Sequence, residues 1–340
     1  GRFLGRCRLF GWRLAFYRRS FLGGCSFTLG RRCLTFGRRL TLDRCRFAFV
    51  RRHLGIASGF YRLLRFELPF AAGVCVVLGQ LFALGAFPPM YVALAAFLSI
   101  FSISASILVL NDCLDVETDR INAPGRPIPS GRVTRTEALG FSALLAGAGP
   151  LLGFALGAAP FALAILLLLV GFLYDRWFKK SGLPGNLMVA FSVGMTFVYG
   201  GVSVGEPWNG TVWFFALIAA LLDLGEEIAA DATDMTGDRL IQSRSLALTY
   251  GRRTALRISG SLFLLVILLT PLPFLLRWFL PVYALPIALM DIAIARPALL
   301  LVRSGHEETD DDAARRHIRL LYLGASGGML LFLVMRLAGA

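Results

Sequence analysis

Lysine is nearly missing from this chain: of 35 basic residues only Lys179 and Lys180 are lysines. Histidine is confined to His53, His306 and His317, too few and too scattered for a zinc site. The six cysteines, Cys7, Cys25, Cys33, Cys45, Cys75 and Cys113, form no CxxC pair and no metal-ligand spacing, which argues against a disulfide framework as well. Charge is scarce altogether. Only 16% of the 340 residues are charged against 56% hydrophobic, and the mean hydropathy is +0.68, so the chain reads as a polytopic membrane protein rather than a soluble core. The net charge of +14 is no sign of nucleic-acid binding, because residues 1–53 hold fourteen Arg and one Asp, a balance of +13 that leaves +1 for the rest.

That Arg-rich tail mixes in Phe, Leu and four of the cysteines and shows no helical or strand period. Its acid-poor composition resembles a transit peptide, but its length and cysteine content do not. We read residues 1–53 as a disordered tail or upstream sequence wrongly joined to the gene, with a targeting or membrane-surface segment, or a real folded element, as the alternatives. The functional domain is then residues 54–340.

A spanning helix needs about 20 mostly apolar residues. Nine such stretches follow the tail: Glu67–Ala86, Tyr91–Leu110, Thr136–Leu156, Pro160–Phe178, Leu187–Val204, Val212–Asp231, Leu256–Leu276, Leu280–Leu301 and Ile318–Met335. The expected fold class is all-α. Basic residues gather in the loops after spans two, four, six and eight, and Arg277 is the exception in the alternate loops. The positive-inside rule therefore puts those four loops on the cytoplasmic side. Nine spans leave the C-terminus outside, which Arg336 opposes.

Acidic residues are few but clustered. Asp112, Asp115 and Asp119 recur in spacing as Asp231, Asp234 and Asp238, each set followed directly by Arg, at the cytoplasmic ends of spans two and six. On a helix, offsets of three, four and seven share a face, so each copy should present a stripe of carboxylates. Glu227 and Asp223 extend the second stripe backwards. The doubling suggests a parallel repeat of four helices with a site where the halves meet.

Carboxylates at membrane depth are costly unless they pair or bind cations. Without His or Cys beside them they suit a hard cation such as Mg²⁺, which takes one or two carboxylates plus substrate phosphates. Arg120 and Arg126 after the first stripe, Arg239 and Arg244 after the second, and Lys179 and Lys180 between them match a polyanion such as a diphosphate.

The run Asn111-Asp112-Cys113-Leu114-Asp115-Val116-Glu117-Thr118-Asp119, followed by Arg126-Pro127-Ile128-Pro129-Ser130-Gly131, resembles the first signature of the UbiA superfamily of intramembrane prenyltransferases. The segment from Gly225-Glu226-Glu227 to Asp238-Arg239 is similar to its second, and Tyr174 with Lys179 or Lys180, then Asn186, resembles the family's loop between its fourth and fifth helices. The resemblance covers about residues 60–340. It implies a nine-helix bundle with a central cavity open to lipid, holding an isoprenyl diphosphate on Mg²⁺. Ionisation of the allylic C–O bond would give a carbocation that a lipid or aromatic acceptor attacks. By the same resemblance Asn111, Asp112, Asp115, Asp119, Asp231, Asp234 and Asp238 would be metal and diphosphate ligands, and Arg126, Tyr174 and Lys179 or Lys180 would hold phosphate oxygens. Where many members have Arg followed closely by Asn, this chain has Arg65-Phe66-Glu67-Leu68-Pro69.

Three features carry a plainer reading. Phe172, Phe191, Phe197 and Tyr199 fit lipid-facing or core positions better than a prenyl channel, and Glu307 to Asp312 reads as a solvated loop. Gly185, Gly194, Gly200 and Gly201 mark close helix contacts.

Three functions compete. A cation-coupled transporter also uses paired acidic helices, but it gives no reason for the Arg-Pro-Ile-Pro-Ser-Gly strip. The CDP-alcohol phosphotransferases require a DGxxAR start that is absent here. Prenyl transfer is the expectation, with the acceptor closest to that of archaeal-type ether-lipid enzymes that prenylate geranylgeranylglyceryl phosphate. An aromatic acceptor for a quinone or chlorophyll-like product is the alternative.

Overall fold

A computed structural model describes residues 57–240, 242–304 and 311–337. The Arg-rich tail and residues 307–310 of the acidic run lie outside the described residues. Among the described residues the fold is all helix. Short α1 (57–64) leads into α2 (Glu67–Leu84), α3 (Met90–Leu114), α4 (Val116–Asn122), α5 (Arg135–Leu156) and α6 (Ala158–Leu173). Then follow α7 (Leu183–Ser203), α8 (Gly210–Thr233), α9 (Met235–Leu240), α10 (Leu246–Tyr250) and α11 (Arg252–Leu269). The chain closes with α12 (Leu272–Leu275), α13 (Ala284–Ser304) and α14 (Asp311–Leu337).

Every expected span is present as a long helix. Eight helices among the described residues are long and apolar enough to cross a membrane. The ninth, α8, misses that criterion because Asp223, Glu226 and Glu227 interrupt its apolar run. It is nonetheless packed between α7 and α11, with α14 against it. The outer helices are apolar nearly all round, as lipid-facing helices must be. On α6, Ala164, Leu167 and Gly171 are buried while Leu166, Leu169 and Phe172 face outward.

Local chemistry sets the helix ends. Thr134 and Glu137 form a reciprocal capping box at the start of α5. The Asn209 side chain accepts from the Thr211 and Val212 N–H groups at the start of α8. Gly85 closes α2 in the left-handed region at φ 68°. Arg336, far along α14, donates to the Gly85 carbonyl at 2.7 Å and lies over the Tyr283 ring. Its place at the non-basic end of the bundle is thus explained by capping rather than by membrane orientation.

The four-helix repeat is visible in the packing. Contacts α2 to α3, α3 to α5 and α5 to α6 are matched by α7 to α8, α8 to α11 and α11 to α13, and α2 against α7 joins the halves. That seam needs glycine. A Cβ on Gly79 would strike the Phe197 carbonyl and one on Gly200 the Val76 carbonyl, so α2 and α7 touch backbone to backbone. A Cβ on Gly194 would stand 2.7 Å from the Ala216 carbonyl of α8.

Candidate active site

Neither acidic stripe is a continuous helix face. Both helices break at the middle carboxylate: α3 ends on Asp115 (φ −88°, ψ 7°) and α8 on Asp234 (φ −106°, ψ 16°), and a short helix follows each. The break is shallow, since the Asp119 and Asp238 N–H groups still donate to the Asp115 and Asp234 carbonyls at 2.8 and 2.9 Å. A single residue in the bridge region therefore re-aims the third carboxylate without freeing backbone groups. The expected stripe is corrected accordingly.

In the first motif each carboxylate takes a basic partner. Asp112, buried at 3% exposure, accepts on Oδ1 from Arg65 at 2.6 Å and from Arg126 at 3.3 Å. Arg126 also donates to Asp119 at 2.6 Å. The strip after α4 is what returns Arg126 to these acids. Turns closed by Arg126 N–H on the Ala123 carbonyl and Ser130 N–H on the Arg126 carbonyl, both at 3.0 Å, fold it back. Arg65 sits in the left-handed region (φ 43°) at the bend between α1 and α2. A non-glycine residue there costs on the order of 1 kcal/mol, retained where it aims a functional side chain.

The Tyr174–Lys179 segment belongs to the fourth span, as the apolar run to Phe178 implied, and is not the loop that the family resemblance suggested. The fourth span continues through a π turn, Tyr174–Phe178, closed by the Lys179 N–H on the Tyr174 carbonyl at 2.9 Å. The wider i→i+5 turn stacks Tyr174 and Lys179 on one side, where an α-helix would splay them apart. Lys179 thereby pairs with Asp115, and Asp175 accepts from the Asn111 amide at 2.8 Å.

The second motif is ordered differently. Asn186, 6% exposed, donates to Asp231 at 2.9 Å, and Arg315 of α14 reaches Asp234 at 2.6 Å. Burial, reinforced by Asp234, holds the Asp238 carboxyl above its usual range.

Both motifs meet at one cavity of about 780 Å³. Asn111, Asp115, Asp119, Arg126, Tyr174, Lys179, Glu227 and Asp234 line its polar end. Much of the rest is apolar wall, with Leu78, Phe82, Ile103, Leu167, Phe197 and Phe332 from α2, α3, α6, α7 and α14. Of the four aromatics considered in the sequence, only Phe197 lines it. Tyr199 is fully buried with its hydroxyl on Ser99, and Phe172 and Phe191 are each 42% exposed. Asp112 instead borders a small basin with Arg62, Arg65 and Arg126.

Asp231, Asp238 and Asn186 are not on the cavity wall. Four cations expected to grip phosphate are not on it either. Arg120 is exposed and pairs with Glu117. Lys180 and Arg244 are exposed, and they meet through their backbones: the Arg244 N–H donates to the Lys180 carbonyl at 3.0 Å. Arg239 is exposed as well. Their spacing from the motifs was right, but exposed helix ends and loop packing turn the side chains away.

The donor set fits a hard divalent cation. It consists of carboxylate oxygens, and the buried Oδ2 atoms of Asp175 and Asp223, both on cavity-lining residues, have no hydrogen-bond partner. Among the described residues no three acidic or thiol or imidazole side chains converge on one point. Asp175, Asp223, Glu226, Arg65 and Arg315 also reach the cavity or its rim. Asp223 extends the second stripe at helical spacing. The others become site residues through packing, which spacing along the chain does not report.

The sequence model for the UbiA prenyltransferase family matches residues 72–324. The digeranylgeranylglyceryl phosphate synthase of Thermococcus kodakarensis is 32% identical over 258 residues, 74% of this chain and 90% of that protein. A solved structure described as giving insights into the biosynthesis of digeranylgeranylglyceryl phosphate synthase in membranes superposes with a TM-score of 0.66 at 29% identity, covering 82% of this chain and 98% of that one. A UbiA homologue from Archaeoglobus fulgidus bound to DMAPP and Mg²⁺ superposes at 0.58 and 17% identity, covering 79% and 99%, and shares the fold.

Proposed function

The chain belongs to the UbiA prenyltransferase family and is an integral membrane enzyme of that class, and from that premise we propose that it joins a geranylgeranyl group to geranylgeranylglyceryl phosphate. One observation carries the reading. Two acidic helix ends open on a single cavity whose polar end holds Arg65, Arg126 and Lys179 and whose remaining wall is mostly apolar. A diphosphate fits the first part and a long isoprenyl chain the second.

In this reading Arg126, Arg65 and Lys179 grip the diphosphate oxygens, and the planar guanidinium groups fix its orientation. Asp115, Asp119, Glu227 and Asp234 would hold Mg²⁺, with Asn111 positioned beside Asp175. Bound there, Mg²⁺ supplies charge neutralisation for the departing diphosphate. The apolar wall keeps water from the allylic carbon while its C–O bond to the diphosphate breaks, and the acceptor hydroxyl oxygen then bonds that carbon as its proton passes to the released diphosphate. The basic loops support a cytoplasmic mouth. The names and coverage of the relatives support a glycerol phosphate acceptor over an aromatic one.

The test is reconstitution in lipid nanodiscs with labelled geranylgeranyl diphosphate, Mg²⁺ and a panel of glycerol phosphate and aromatic acceptors. Label should pass to geranylgeranylglyceryl phosphate. Transfer to aromatic acceptors alone would overturn the acceptor assignment and leave the prenyl transfer standing.

A further inference from the structure

Helix α14 is a wall of the cavity through Tyr322, Ser326 and Met329. Arg315 precedes these by seven, eleven and fourteen residues, which on a helix is the same face, carried two turns outward. There its Nη2 meets Asp234 Oδ1 at 2.6 Å, with the two side chains 57% and 55% exposed. An ion pair so exposed adds little to stability. α14 is held instead by buried Leu321, Ala325 and Phe332, so the pair is dispensable for the fold. Asp234 lines the cavity, which places Arg315 at its rim on the second-motif side.

The cations on the cavity wall, Arg65, Arg126 and Lys179, are bonded to first-motif carboxylates across the site. The proposed reaction needs two phosphate-bearing substrates at once. The acceptor phosphate lies only a few bonds from the attacking hydroxyl, so it needs its own cation near the cavity mouth, and on the second-motif side the structure shows Arg315 there on Asp234. A guanidinium has five N–H donors and can keep one edge on Asp234 while offering another to a phosphate.

We propose that Arg315 binds the phosphate of the acceptor and so selects a glycerol phosphate headgroup over an uncharged alcohol. The proposal rests on the acceptor reading above. Full-length protein and its R315Q and R315K variants in nanodiscs test it, by KM for each substrate and by equilibrium binding of geranylgeranylglyceryl phosphate and of its phosphate-free alcohol. R315Q should weaken binding of the phosphate-bearing acceptor roughly tenfold, as expected for loss of one charged hydrogen bond. R315K should recover part of that loss. Binding of the alcohol and KM for geranylgeranyl diphosphate should move less than about twofold. Equal acceptor affinities in all three proteins, or a shift confined to the diphosphate, would overturn the assignment. Failure of the unmodified protein to use geranylgeranylglyceryl phosphate would instead overturn the acceptor reading, and this proposal with it.

Discussion

Arg126 Nη1 donates to Asp119 at 2.6 Å while standing 3.3 Å from Asp112, so one guanidinium bridges the first and third acids of the first motif. Nη1 alone holds both acids and leaves the other N–H donors of the planar fork for a phosphate, which the single ammonium nitrogen of a lysine cannot reproduce. Arg126→Lys should therefore raise KM for the prenyl diphosphate or slow turnover by about tenfold or more, since a charged hydrogen bond is worth roughly 1.5–3 kcal/mol. Steady-state kinetics with each substrate varied in turn checks this. An unchanged diphosphate response with a selective acceptor defect would move Arg126 to the acceptor site.

Asp115 and Asp234 occupy equivalent helix breaks at the ends of α3 and α8, and both line the cavity. Asn keeps the shape of either and removes its charge, so Asp115→Asn and Asp234→Asn should each lower turnover by at least about a hundredfold. Their ion pairs with Lys179 and Arg315 are partly exposed, so melting temperature should fall by only a few degrees. Chelation should stop the unmodified enzyme and added Mg²⁺ restore it. Near-normal turnover in either variant would remove the two-motif model.

The seam between the halves predicts a stability defect without a chemical one. Gly200→Ala puts a methyl group into the Val76 carbonyl of α2. Overpacking of this kind costs about 1–3 kcal/mol. Thermal unfolding in detergent should show the loss, whereas Gly140→Ala, with open space at its Cβ, should not.

Residues 1–53 hold nearly all the excess charge and none of the motif residues. A chain begun near Leu54 should insert into membranes and turn over as well as the full chain. Loss of insertion or activity on that deletion would show the tail to be part of the working protein.

The long apolar runs, the doubled acidic spacing and Gly200 of the seam were legible in the sequence, whereas its counterpart Gly79 was found only by packing. The first three are local patterns: span length follows from bilayer thickness and repetition from spacing. Even Asp223 could be found, because it continues a helical period.

Which acid meets which base was not legible. Lys179 and Asp115 are 64 residues apart and Arg315 and Asp234 are 81 apart. Arg120 and Arg244 lie nearer to the motifs in sequence, yet they face away. A one-residue break at Asp115 leaves Asp112 on a basin and re-aims Asp119 toward the cavity, and a π turn sets Lys179 on the same side as Tyr174. By itself the sequence determined the spans, the two acidic motifs and the family. Only the tertiary structure decided the partners of the carboxylates, because those depend on how helices distant in the chain pack, and side-chain direction at a break or a π turn departs from the regular period that sequence patterns report.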